Sequence, residues 1–282
     1  MKQKRVAAIH DISGFGKCSL TVALPIISSA GIEVSAIPTA VLSTHTGGIE
    51  GFTYRDLTED MLPFANHWAS LNLHFDAIYS GFLGSFQQID MVSNIFDKLK
   101  TDDTLIMVDP CMADNGKLYS IYDKSMALGM KKLCAKADII VPNLTEASFM
   151  LNKSYVKGPY TREYIENILR ELSTLGCRRI VVTGVYFGDS ELGVASYDVA
   201  KDEITYSFNK FVDGSFHGTG DIFASALLSA ILNGFDLKSS SQIAVDFTYS
   251  AIHSTEIAKT DKRFGVNFEQ NIPKFLKSLK LV

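Results

Sequence analysis

Short apolar runs, each stopped by a polar residue or a proline and each followed by a helix-forming stretch, set the fold class of this chain. Arg5–His10, Glu33–Pro38, Phe75–Tyr79, Thr104–Asp109, Ala137–Val141 and Arg179–Gly184 are runs of this kind. Apolar residues at consecutive positions predict strands buried on both faces. Helices are predicted over Cys18–Ala30, Met61–Leu73, Ile89–Leu99, Tyr122–Cys134 and Thr161–Leu175. Gly31 and Gly176 stand where helices commonly stop. Strands alternating with helices imply a mainly parallel sheet covered on both faces. Gly193–Tyr197 and Glu203–Phe208 alternate apolar and polar residues around Ala200-Lys201-Asp202, which predicts a hairpin with one solvated face. Helices are expected after Asp221, over Ser239–Ile257 and over Phe268–Leu279.

Composition excludes several partners. Net charge is −4 over 282 residues, so nothing electrostatic favours nucleic acid. No apolar run approaches the roughly 20 residues that cross a bilayer. The basic opening Met1–Arg5 leads into a short apolar run ended by His10-Asp11, unlike a signal peptide. Cys18, Cys111, Cys134 and Cys177 match no metal or disulfide spacing, so free thiols in a cytoplasmic setting are expected. No linker rich in Pro, Gly and Ser divides the chain, and residues 1–282 are read as one domain.

The chemistry concentrates in Phe216-His217-Gly218-Thr219-Gly220-Asp221. The glycines permit a tight turn into a helix, whose open N–H groups and positive pole favour an anion. Asp221 puts a carboxylate beside that anion, placed to take a proton from a hydroxyl attacking a phosphate. Aspartate is also a common helix cap, and on these residues alone both readings stand. Asp109 ends a strand, where ligands gather in open α/β sheets. Asn143 and Glu146 have capping-box spacing, or they face the same cleft and organise Mg²⁺ through water.

Asp11-Ile12-Ser13-Gly14-Phe15-Gly16-Lys17 reads as a glycine loop between strand and helix. It is no P-loop: Asp11 stands where the first glycine belongs, and Cys18 follows Lys17. It is no dinucleotide turn, because Ser19 replaces the third glycine. It is expected to bind something other than nucleotide phosphate, with Asp11 and Ser13 as its polar groups. His45 is a further contact candidate, and Gly47, Gly48 and Gly51 bracket a loop of the kind used as a lid.

In their order along the chain these segments resemble the ribokinase superfamily, and within it the pyridoxal (vitamin B6) kinases. Similar to that family are His10–Ser19, Ser43-Thr44-His45-Thr46-Gly47-Gly48, Ser80-Gly81-Phe82-Leu83-Gly84-Ser85, Val108-Asp109-Pro110, Pro142–Glu146 and Gly218–Asp221. Thr44 replaces an asparagine and Phe82 a tyrosine, while Thr183 stands where some vitamin kinases carry a lysine. The resemblance implies a three-layer α/β/α sandwich with a mainly parallel central sheet. It implies ATP-dependent phosphorylation of the 5′-hydroxyl of pyridoxal, pyridoxine or pyridoxamine, with Mg²⁺, and leaves a monovalent cation open. Asp221 would be the base. Gly218, Thr219 and Gly220 would form the anion hole. Asp109 and Glu146 would lie by phosphates and metal, with Asn143 in support. Ser13, Thr46, Gly47, His45 and the Phe82 wall would hold the ring. Thr183 and Thr219 would line the nucleotide side, and the helix around Phe247 and Ile252 would bound the adenine. A homodimer is implied too. The rivals are a hydroxymethylpyrimidine kinase of the same fold, which differs only in the ring pocket, and a non-catalytic binder, which has no use for Asp221.

Overall fold

The computed structural model describes residues 3–282; Met1 and Lys2 of the basic opening lie outside them. The elements run β1 (Arg5–Phe15), α1 (Leu20–Ser29), β2 (Glu33–Thr44), β3 (Tyr54–Asp56), α2 (Thr58–Ser70), β4 (Ala77–Ser80), α3 (Phe86–Leu99) and β5 (Leu105–Val108). Then come β6 (Ala113–Asp114), β7 (Lys117–Leu118), α4 (Lys124–Cys134), β8 (Ile139–Ile140), α5 (Leu144–Met150), α6 (Arg162–Ser173) and β9 (Arg179–Val185). The chain closes with β10 (Glu191–Asp198), β11 (Glu203–Lys210), α7 (Thr219–Leu232), α8 (Leu237–Ala258) and α9 (Ile272–Ser278).

One sheet in the order β11-β10-β9-β8-β5-β4-β1-β2-β3 carries the molecule, and β6-β7 form a separate small ribbon. β9, β8, β5, β4, β1 and β2 pair in parallel, while β3, β10 and β11 are antiparallel. Because successive strand side chains point to opposite faces, consecutive apolar residues feed two cores. Ile9, Ile78, Ile106, Val108 and Ile180 meet apolar residues of α2 to α6 on one face. Val6, Tyr79, Met107, Ile139 and Val181 meet α1, α7, α8 and α9 on the other. This is the expected three-layer α/β/α sandwich.

Three expectations change. β1 does not stop at His10: after an irregularity between His10 and Ile12 it pairs on, Ser13 with Leu42 and Phe15 with Thr44. Most of the expected glycine loop is therefore strand, because the longer β2 supplies partners for it. The hairpin of β10 and β11 forms, but its inner strand is not half-solvated. Gly193–Asp198 is buried without a break, since α6 and α8 cover its two faces. The last helix is shorter than Phe268–Leu279: a separate 3₁₀ turn, Glu269–Asn271, precedes α9.

Candidate active site

β1 lies between β2 and β4, so the chain leaves it to both sides, and in open α/β sheets ligands gather at the carboxyl ends of strands at such a point. Asp11 lies late in β1, Ser80 ends β4, Asp109 directly follows β5, and Asn143 follows β8. The start of α7 closes this row.

Gly218 is the N-cap of α7 at φ 75°, with no side-chain cap hydrogen bond. Asp221 sits inside the first turn, so it does not cap the helix. Among the described residues, the N–H groups of Gly218, Thr219 and Gly220 have no backbone acceptor, and the helix ladder begins with Ile222 N–H donating to the Gly218 carbonyl at 3.1 Å. The Thr219 hydroxyl donates to the Phe216 carbonyl at 3.1 Å and stiffens the turn. Open donors at a positive helix pole are suited to an anion.

The Asp221 carboxyl is held from across the molecule. Its Oδ2 accepts the Ser19 N–H at 2.8 Å. Burial pushes it up to about 7; the Ser19 N–H opposes that rise and the Asp11 charge adds to it. Ser19 stands at φ 51°, and its hydroxyl donates to Asp11 Oδ1 at 2.6 Å. One residue thus bridges the two carboxyls. The Ser13 hydroxyl donates to Asp11 Oδ2 at 3.3 Å, and burial raises Asp11 as well.

Asp109 faces the Gly218–Asp221 turn: a Cβ on Gly220 would lie 3.9 Å from its Oδ2. Burial and the Asp221 charge hold Asp109 well above the usual carboxylate range. Glu146 is raised by burial first and by Asp109 second. The capping box is formed. Asn143 Oδ1 accepts the Glu146 N–H at 2.9 Å, and Glu146 Oε2 accepts the Asn143 N–H at 2.8 Å. Glu146 Oε1 accepts the Met112 N–H at 3.0 Å, and Asn143 Nδ2 donates to the Ala113 carbonyl at 2.8 Å. Thr183 pairs with Asn143 in an isolated bridge and donates its N–H to the Pro142 carbonyl.

Beyond the end of β2, Gly47 N–H donates to His45 Nδ1 at 3.1 Å, so Nε2 carries the proton and donates to the Arg263 carbonyl. His217 lies with its ring centre 5.0 Å from that of His45 and occupies the space a Gly47 Cβ would need. Burial lowers His217. Thr46 is exposed. Phe82 packs edge-on against Tyr122 at 6.0 Å. Among the described residues, no hydrogen bond or ring contact joins Thr46 or Phe82 to Ser13. Phe247 is buried, with its ring stacked 4.6 Å from Phe275.

Ser19 and His217 were not singled out as site residues by the sequence. The positive φ of Ser19 stands where a glycine was sought, and His217 precedes the anion turn, but neither contact is local. The family profile described as phosphomethylpyrimidine kinase matches residues 25–266. The chain belongs to that family. A structure from Bacteroides thetaiotaomicron, described as a phosphomethylpyrimidine kinase in a form with pyridoxal, is 36% identical with a TM-score of 0.92, covering 97% of this chain and 96% of that one. Pyridoxal kinase from Lactobacillus plantarum is 29% identical with a TM-score of 0.89, covering 98% of each chain. The fold of this family member is therefore that of the pyridoxal kinases. The chain also matches the chloroplastic thiamine biosynthetic bifunctional enzyme of Arabidopsis thaliana at 23% identity over 81% of its own length, and spans 42% of that relative.

Proposed function

We propose that this chain is an ATP- and Mg²⁺-dependent kinase that phosphorylates the 5′-hydroxymethyl group of pyridoxal, pyridoxine or pyridoxamine, acting as a single-domain protomer of a cytoplasmic homodimer. The observation that carries the reading is Asp221, raised to about 7, in the first turn of a helix whose leading N–H groups have no backbone acceptor. The substrate oxygen bonds to the γ-phosphorus as the bond to ADP breaks, and its proton passes to an Asp221 oxygen. Gly218, Thr219 and Gly220 donate to the phosphoryl oxygens. Ser13, His45, Thr46, Gly47 and Phe82 hold the ring, and Thr183, Thr219 and Asn143 line the nucleotide side.

The donor set fits Mg²⁺. Mg²⁺ takes one or two carboxylates and keeps several waters. Asp109 is 8% exposed and receives no side-chain hydrogen bond from the described residues, so it would hold the ion directly. Both Glu146 oxygens already accept backbone N–H groups, so Glu146 would act through water. When bound, the ion supplies charge against the phosphates.

The relative with pyridoxal supports a B6 vitamer. The family description favours the second reading, a hydroxymethylpyrimidine kinase. ADP release with Mg·ATP and a panel of three B6 vitamers, hydroxymethylpyrimidine and ribose separates them. Turnover with a vitamer well above hydroxymethylpyrimidine is expected; the reverse order moves the protein to the thiamine side, and none at all removes the kinase reading.

A pH profile follows from Asp221. The base works only as a carboxylate, and kcat/KM reports the free protein. With Asp221 at about 7, kcat/KM should fall about tenfold for each pH unit below 7 and level off above it. A rate flat from pH 5 to 8 would remove Asp221 from this role.

A further inference from the structure

Lys17 follows a glycine turn between strand and helix, where a nucleotide loop would aim a lysine at phosphate. Its ammonium goes elsewhere. It donates to Asn267 Oδ1 at 3.0 Å and Glu269 Oε2 at 2.9 Å, and lies 5.8 Å from the Phe268 ring centre. Its backbone is wedged between two glycines at positive φ. A Cβ on Gly218 would stand 1.9 Å from the Lys17 carbonyl oxygen, and one on Gly265 would stand 2.7 Å from Lys17 Cβ. The Lys17 N–H donates to the Phe264 carbonyl at 3.0 Å. The neighbouring Arg263 carbonyl accepts from His45, and Phe264 packs edge-on against Phe15 at 5.0 Å. Two residues beyond Lys17, the Ser19 N–H holds Asp221.

We infer that Lys17 is a positioning residue. Its main chain is the shared wall between the ring-side end of β1 and the anion turn, and its ammonium, tied into residues 267–269, sets where that wall stands. The inference rests on the phosphoryl-transfer reading of the Gly218–Asp221 turn and adds to it the part that registers the turn against the ring side. The two acceptors of the ammonium lie 250 and 252 residues along the chain, so it ties the first β–α unit to the C-terminal segment.

The test uses the full chain with Lys17→Met, Lys17→Arg, Glu269→Ala and the Met/Ala double variant. Steady-state kinetics and hydrogen exchange of residues 216–220 in ligand-free protein are the readouts. Lys17→Met should lower kcat about tenfold and leave KM for Mg·ATP within about twofold, since a displaced catalytic turn costs rate rather than nucleotide binding. Exchange at 216–220 should rise. Lys17→Arg should restore most of the rate. Glu269→Ala should give a smaller loss of the same kind, and the double variant should be no worse than Lys17→Met, as for two groups in one interaction. A raised KM for Mg·ATP at near-normal kcat would mean that Lys17 binds phosphate, and full additivity would mean that the pair is unconnected; either overturns the inference. Exchange is read without substrate. Absence of turnover in the wild type would count against the kinase reading alone, and unchanged exchange in Lys17→Met would count against the clamp.

Discussion

Asp221→Asn should abolish nearly all turnover, lowering kcat by about 10²- to 10⁴-fold while vitamer and nucleotide still bind. Asparagine keeps the shape and still accepts the Ser19 N–H, but it cannot take a proton. The same substitution should stabilise the fold above neutral pH. Below about pH 4 the carboxyl is protonated in both the folded and the unfolded chain, and it contributes nothing. Between its ordinary value of 3.8 and about 7 the unfolded chain ionises first, so stability falls as pH rises. Above 7 the full cost of a desolvated charge is present, on the order of 1–4 kcal/mol. Thermal unfolding of both proteins at pH 3.5 and pH 8 reads this directly. A gain at pH 8 that vanishes at pH 3.5 is expected, as for a site that trades stability for reactivity. Equal midpoints at pH 8 would show that Asp221 is not held at a cost. Retained turnover would show that another group takes the proton.

Gly218→Ala should be nearly as damaging, for a different reason. At φ 75° any side chain is strained, and here the added Cβ would lie 1.9 Å from the carbonyl oxygen of Lys17. That atom is backbone, so relief requires the anion turn or the start of α1 to move. A shift of about 1 Å in a phosphoryl cradle costs about 10²-fold in rate. Gly31→Ala is the control. Its φ of 81° is as unfavourable, but a Cβ there meets nothing within 4 Å. It should show only the backbone penalty, about 1 kcal/mol of stability, with kcat unchanged. If Gly218→Ala behaves like Gly31→Ala, the close approach to Lys17 has no part in the rate.

How much of this was legible depends on the range of each interaction. The capping box of Asn143 and Glu146 was readable because its partners lie three residues apart. The turn at Gly218 was readable because a left-handed residue asks for glycine. The buried runs in β4, β5 and β8 were readable because both of their faces meet helices. The length of β1 was not: the residues after His10 look like a loop, and β2 alone makes them strand. The hairpin face was misread because period-two alternation shows which residues point together, not what covers them. The stack of Phe247 on Phe275 was hidden for the same reason, since it spans α8 and α9.

The sequence by itself determined the layer order, the turn into α7, the cap of α5 and the order of the motifs along the chain, since each depends on neighbours within a few residues. Tertiary structure alone decided what those motifs do to one another. Asp221 reaches about 7 because burial desolvates it beside the Asp11 charge, against the pull of the Ser19 N–H, and both residues lie in the first β–α unit, some two hundred positions away in the chain. The Lys17 ammonium is held by Asn267 and Glu269, which come to it from the far end of the chain. His217 meets His45 only where the turn before α7 comes up against the segment after β2. Each of these depends on strand register and on the crossing of distant segments, which local spacing does not encode.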